Sequence, residues 1–241
     1  MIESPIVELR RYTLHPGQRD ALIELFEREF VESQEALGMR VIGQFRDLDD
    51  ANRFIWLRGF TDMDQRAVGL AAFYGGPVWQ AHRDAANATM LDSDDVYLLR
   101  PAWPGAGIDD GPQHRATPGT RGTPPGLVDA VVFPLHAPAS SDLLALCREV
   151  LSPVLRQGGA RRIAWYVTEP AANNFPRLPV REGEAVLVGI AVFDGSEAFD
   201  TFVRGGTWAR HAQPALAPWL SRPAESHRLV PTPRSALNAL L

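Results

Sequence analysis

The chain has 241 residues, 45% of them hydrophobic and 22% charged, which is enough apolar side chain for a folded core and excludes whole-chain disorder. Its formal net charge of -5 argues against a nucleic-acid partner, and no apolar run approaches the roughly 18 residues that span a bilayer, so neither nucleic acid nor membrane is expected. One cysteine, Cys147, excludes a disulfide framework and a cysteine-rich metal site, and the opening Met1-Ile2-Glu3-Ser4-Pro5 has no signal-peptide character, so a cytoplasmic protein is expected.

Residues 6–14 read as a strand, stopped by Pro16-Gly17. Residues 18–37 then follow helical spacing through Leu22, Leu25, Phe26, Phe30 and Leu37, and Gly38 is a natural C-terminal cap. Residues 40–47 and 53–61 form a hairpin around Asp49-Asp50-Ala51-Asn52. Asp62 or Asp64 caps a helix that runs irregularly to about Met90 and breaks at Gly75-Gly76-Pro77, because proline lacks the donor N–H. Residues 96–100 are a last strand.

A Pro/Gly-rich stretch from Pro101 to Gly126 then divides the chain into two halves: 1–101 and 126–241, joined by a linker at 102–125. The second half repeats the order: strand 127–135, helix 141–157, strands 162–168 and 185–193, helix 196–219 and a short strand at 228–230. Pro153 sits awkwardly late in the first of those helices. The halves also match residue by residue. Val7-Glu8 with Leu14-His15 recurs as Val128-Asp129 with Leu135-His136, at the same internal spacing. Phe73, Gly76, Trp79 and His82 recur as Phe202, Gly205, Trp208 and His211. Tryptophan is rare, so two such matches in the same order indicate a tandem duplication. The expected fold class is α+β: two tandem ferredoxin-like β-α-β-β-α-β units packed sheet to sheet as an α+β barrel.

Side chains alternate across a strand. Val7 and Leu9 are the apolar members of the first strand and are expected to face its helices. Glu8, Arg10 and Tyr12 would then point into the space between the sheets, joined there by Trp56 and Arg58. The equivalent strand of the second half offers Asp129, Val131, Phe133 and Leu135, a more apolar wall. Apolar walls with a few fixed polar groups suit a small acidic or aromatic ligand. The alternative is an internal salt bridge from Glu8 to Arg10 or Arg58.

Several of these segments resemble the NIPSNAP family. They are the run from Val7 to Gly17 (VELRRYTLHPG), the Trp56-Leu57-Arg58 strand, the helix start at Asp64-Gln65-Arg66, and Trp79 after a Gly-rich break. The segment Asn173 to Glu184 (NNFPRLPVREGE) is similar to one in bacterial tandem-repeat members. The resemblance implies the dimeric α+β barrel fold and little chemistry. Structural cousins include small monooxygenases that work without metal, but fold does not fix function.

No nucleophile elbow, metalloprotease motif, phosphate loop or dinucleotide fingerprint is present, so no cofactor is expected and catalysis is left open. Cys147 lies on the apolar side of its helix and reads as a small buried hydrophobe. The paired histidines His15 with His136 and His82 with His211 read as structural before they read as metal ligands, and no metal is expected. His82 remains a candidate ligand contact. The Glu169–Glu184 loop carries Arg177 and Arg181, which would clamp an anion over the barrel mouth. The same loop would equally serve as an oligomer arm anchored by Phe175 and Leu178, or be inert. The function expected is therefore ligand binding between the sheets by a protein that also forms a homo-oligomer. The alternatives are a cofactor-independent monooxygenase or isomerase acting through Tyr12, Arg10 and Arg58, and a non-catalytic assembly module.

Overall fold

Each half of the chain needs cover for a four-stranded sheet, and the two sheets meet that need by joining edge to edge. In the computed structural model, which describes residues 3–109 and 115–240, eight strands close into one antiparallel ring. The first half supplies β1 (Ile6–Leu14), β2 (Arg40–Asp47), β3 (Arg53–Phe60) and β5 (Val96–Pro101), with a short extra strand β4 (Met90–Asp92) on the flank of β1. The second half supplies β6 (Leu127–Pro134), β7 (Arg162–Thr168), β8 (Val186–Phe193) and β9 (Glu225–Pro231). The ring order is β3-β2-β9-β6-β8-β7-β5-β1, closed by β1 on β3. Its two seams are β2 on β9, with Phe45 opposite Pro231, and β5 on β7, with Leu99 opposite Thr168. Closure removes every free edge from the ring.

Helices cover the outside. The first runs Arg19–Leu25, passes through a π turn at Phe26–Phe30 and ends as Val31–Glu35. Its counterpart runs Ser141–Leu146, passes through a π turn at Cys147–Leu151 and ends as Ser152–Gln157. Pro153 follows that π turn. There Ser152 Oγ donates to the Cys147 carbonyl (2.7 Å) and accepts from Trp165 Nε1 (2.9 Å), so the local irregularity is hydrogen-bonded. Asp62 caps the Met63–Gly75 helix by accepting from Gln65 N (2.7 Å), and Pro77 opens the next helix, Pro77–Asn87, where its missing N–H costs nothing. In the second half, Ser196–Gly205 ends at Gly206 in the left-handed conformation, and a π turn at Trp208–Ala212 leads on toward Trp219.

Most of the interior of the ring is an apolar cluster. Val7, Leu9, Ile55, Leu57, Tyr97 and Leu99 from the first half meet Val128, Ala130, Val132, Val188, Ile190 and Leu229 from the second. Ile108, from the start of the Pro/Gly-rich stretch, and Leu237, from the C-terminal tail, complete that cluster. This overturns the expected orientation. The alternation of β1 and β3 is as read, but Glu8, Arg10, Tyr12, Trp56 and Arg58 face the helices, not the space between the sheets. The same inversion holds in β6, where Phe133 and Leu135 pack in the helix layer with Val131 against them. The physical reason is that strands buried on both faces carry no polarity signal for which face is which. A sealed barrel takes the set that needs no partners, while the helix layer supplies partners for the charged set.

The inward cation of β1 is Arg11 instead. Its Nη1 donates to Glu225 Oε2 (2.5 Å) and its Nη2 to Asp95 Oδ1 (2.9 Å), with His227 Nε2 3.3 Å from Nη1. His227 Nδ1 in turn lies 2.8 Å from Asp47 Oδ2. This network spans the interior at the end where β1 finishes and β9 begins.

Candidate functional site

Register brings the site together. Glu8 on β1 lies opposite Arg58 on β3, and Arg10 lies opposite Trp56. The Met63–Gly75 helix buries Arg66, Gly69, Leu70 and Phe73, a helical stripe that aims Arg66 at the same sheet face. Glu8, Arg10, Arg58 and Arg66 are all fully buried. Glu8 Oε2 accepts from Arg10 Nη1 (2.9 Å) and from Arg58 Nη2 (2.6 Å), and its Oε1 accepts from Arg66 Nε (2.8 Å). Three guanidiniums thus enclose one carboxylate, leaving two positive charges in excess inside the protein.

The surroundings disperse that excess without cancelling it. Arg58 Nη1 donates to Gln34 Oε1 (2.8 Å), Arg10 Nε to the Tyr12 hydroxyl (2.9 Å), and Arg66 Nη1 to Asn173 Oδ1 (3.0 Å) and Asn174 Oδ1 (2.8 Å). The guanidiniums of Arg58 and Arg10 lie 5.0 and 5.6 Å from the Trp56 ring centre, a cation–π arrangement. Burial pushes the Glu8 carboxyl up, but Arg58, Arg10 and Arg66 push it further down, so it stays ionised well below the usual carboxylate range. Burial likewise raises the Tyr12 phenol, which outweighs the pull of Arg10. Neither group is free to take a proton near neutral pH.

Beside this cluster lies a cavity of about 30 Å³, walled by Tyr12, Phe30, Trp56, Phe73, Tyr74 and Trp79. The buried Trp56 Nε1 has no hydrogen-bond partner among the described residues. The rim comes from both halves, since Phe175 of the 169–184 loop stacks on Tyr74 at 6.0 Å and 23°. That loop crosses from the second half onto the first. Glu169 N and Arg181 N donate to the Leu98 and Val96 carbonyls of β5 (2.9 and 2.8 Å), and Asn174 Nδ2 donates to the Met63 carbonyl (2.5 Å).

Of the residues expected at the site, Glu8, Arg10, Tyr12, Trp56 and Arg58 converge. His82 does not: it sits at the helix surface with Nε2 3.4 Å from Glu29 Oε2. Trp79, three residues before it, packs on Phe30 and Phe73 of its own half, not on the neighbouring unit. Arg177 is exposed, and Arg181 is held by Asp95 Oδ1 (2.7 Å) and Glu184 Oε1 (3.0 Å), so the two form no clamp. Phe175 and Leu178, both half-buried, pack within the chain against the first half's aromatic cluster. Sequence reasoning missed Arg66, Gln34, Tyr74 and the role of Asn173 and Asn174. A signal existed for Arg66: it is the first member of the apolar stripe Arg66, Gly69, Leu70, Phe73.

The second half builds the same layer without the charges. Where β1 and β3 pair Glu8 with Arg58, Arg10 with Trp56 and Tyr12 with Phe54, β6 and β8 pair Asp129 with Ala191, Val131 with Gly189 and Phe133 with Leu187. Trp165 fills the space over Gly189, where a Cβ would come within 2.7 Å of its ring. The one charge retained, Asp129, accepts from Ser226 Oγ (3.1 Å), and burial pushes its pKa up to about 6.

Residues 7–103 match the NIPSNAP family model. Three solved structures share the fold over nearly the whole length of both chains. A proposed monooxygenase from Lactobacillus acidophilus NCFM is 14% identical, with 97% of this chain and 98% of that one covered and a TM-score of 0.57. A proposed monooxygenase from Fusobacterium nucleatum subsp. nucleatum ATCC 25586 is 7% identical, with 100% and 98% covered and a TM-score of 0.60. An anthrone oxidase-like protein is 16% identical, with 98% and 96% covered and a TM-score of 0.60. At these identities the likeness is one of fold. No curated protein matches the sequence.

Proposed function

We propose, for a chain that carries a NIPSNAP domain over residues 7–103, that it binds a small aromatic anion in the helix layer of its first half, against Arg10, Tyr12 and Trp56. The observation that carries this reading is the contrast between the halves. The second half packs the same register positions with Val131, Phe133, Ala191 and Gly189, so the fold itself does not require three buried arginines. Burying two uncompensated cations is costly, and a purely structural layer would be expected to lose them. Aromatic walls and an excess of guanidinium suit a planar carboxylate or phenolate.

The cavity holds about one water as it stands, so entry requires Tyr74, Trp79 and Phe175 to move. Tyr74 and Trp79 flank the helix break at Gly75-Gly76-Pro77, which gives them a hinge. The reading includes a tandem origin for the fold, with ferredoxin-like units at 1–101 and 126–241 joined by 102–125. In its support, the π turns Phe26–Phe30 and Cys147–Leu151 fall at the same offset as Val7 from Val128, and Phe73–Trp79 and Phe202–Trp208 are both ring contacts (5.9 and 6.4 Å).

Calorimetric titration of the full chain with salicylate and 2-naphthoate tests the site. Saturable binding that weakens roughly tenfold in Tyr12→Phe and is lost in Arg10→Gln is expected. No uptake of either probe, or uptake indifferent to both variants, would refute it. A second reading is an oxygenase acting on an ionisable aromatic. It draws on the positive field of Arg10, Arg58 and Arg66, which would hold a substrate that ionises itself, while neither Glu8 nor Tyr12 is placed to take its proton. Oxygen consumption with an anthrone, lost in the same variants, separates it from simple binding.

A further inference from the structure

We infer that the chain carries a second small-molecule site, in a cleft of about 570 Å³ at the seam of β5 and β7, and that its ligand is an apolar molecule bearing one carboxylate. This site shares no side chain with the aromatic cavity and stands without it. Leu98, Val167 and Val186 line it from the barrel strands, Ala139 and Leu144 from the turn and helix after β6, and the base of the 169–184 loop closes the other side. A volume of this size accommodates a ligand of ordinary metabolite dimensions, and an aliphatic lining takes a hydrocarbon body.

The charge of the ligand follows from which polar groups around the cleft are already engaged. Glu169 Oε1 accepts from Ala171 N (3.0 Å), Glu182 Oε1 accepts from Asn173 N (3.1 Å), and Glu184 is held by Arg181 (3.0 Å) and Arg222 (3.1 Å). Arg181 is committed in turn to Asp95 and Glu184. Arg100 differs. It stands opposite Val167 in the β5–β7 register, its side chain is 53% exposed, and its nearest carboxylate oxygen, on Glu169, is 4.0 Å away, beyond hydrogen-bond reach. Only its Nε faces that carboxylate, in a long ion pair, so among the described residues its two Nη groups are open to an incoming carboxylate. His136, exposed at the mouth, adds a second donor through a ring N–H.

Decanoate is the probe, titrated into the full chain by calorimetry at neutral pH. Saturable uptake is expected, weakened roughly tenfold or more in Arg100→Gln and abolished in Ala139→Trp, which fills the cleft. Tyr12→Phe, at the aromatic cavity, should leave it unchanged. Circular dichroism of each variant controls for folding, and the solvent-exposed Arg100 side chain makes its replacement safe for the core. The inference falls if decanoate does not bind, if decanol binds as tightly, or if Tyr12→Phe abolishes uptake while Ala139→Trp does not. The last result would leave the aromatic site standing and remove only this one.

Discussion

Two carboxylates in comparable strands, Glu8 fully buried and Asp129 half-buried, behave oppositely because their neighbours differ. Glu8 is surrounded by cations and its pKa is depressed, so its contribution to stability is complete above the ordinary carboxylate value and is lost as pH falls below it. Glu8→Gln should cost about 3–5 kcal/mol at pH 7, since three buried guanidiniums lose their counter-charge. The difference from wild type should shrink as pH drops below about 4.5, measured by urea unfolding at a series of pH values. At Asp129 desolvation outweighs the Ser226 hydrogen bond and the pull of His227 and Arg228, and its pKa is raised from 3.8 to about 6. A raised carboxyl favours the fold while protonated and penalises it as pH climbs through the folded value. Asp129→Asn should therefore stabilise by about 1–2 kcal/mol at pH 8 and change little near pH 3.5. A gain that is the same at both pH values would mean the carboxyl is not desolvated.

The elements themselves were largely legible. Breakers and periodicity locate most strands and helices to within a residue or two, because Pro16-Gly17, Gly38 and Gly76-Pro77 punctuate them, but the last strand begins three residues earlier than read, and Met90–Asp92, read as the end of a helix, is a short strand. The π turns were not legible, since they add one residue to a turn without altering the apolar stripe enough to announce themselves. Nor was the facing of β1 and β3. Glu8, Arg10 and Arg58 were correctly grouped on one face, but a strand covered on both sides hides which face meets the helices. Phe30 tests the helix phase directly. It is buried, with ring contacts to Phe26, Phe73, Trp79 and His82, and Phe30→Ala should cost about 3–5 kcal/mol in chemical denaturation. A loss under about 1 kcal/mol would contradict that packing. The 169–184 loop was legible as a long irregular segment by its length and composition, yet nothing in its sequence says that it reaches across to the other half. That docking depends on β5 lying beside β7, a tertiary fact.

At the scale of the molecule, the question is whether the two halves are stable separately. The interior cluster takes its members from both, so cutting the chain would leave Val7, Leu9, Ile55 and Leu57 on one open sheet and Val128, Ala130, Val132 and Ile190 on another. Each fragment would expose an apolar face and two unpaired edges, since β2 needs β9 and β5 needs β7. The tail binds the halves further. Leu237 is fully buried in the shared interior, and Thr232 Oγ1 and Arg234 N donate to Glu27 Oε1 of the first helix (2.6 and 2.8 Å). Unfolding should accordingly be a single cooperative transition, with the calorimetric enthalpy equal to the van't Hoff enthalpy. Leu237→Ala should lower the stability of that one transition by about 2–5 kcal/mol without splitting it. Two resolved transitions in the wild-type scan, or a Leu237→Ala scan in which only the second half melts earlier, would mean that the barrel interior does not couple the halves and that each sheet finds its stability in its own helices.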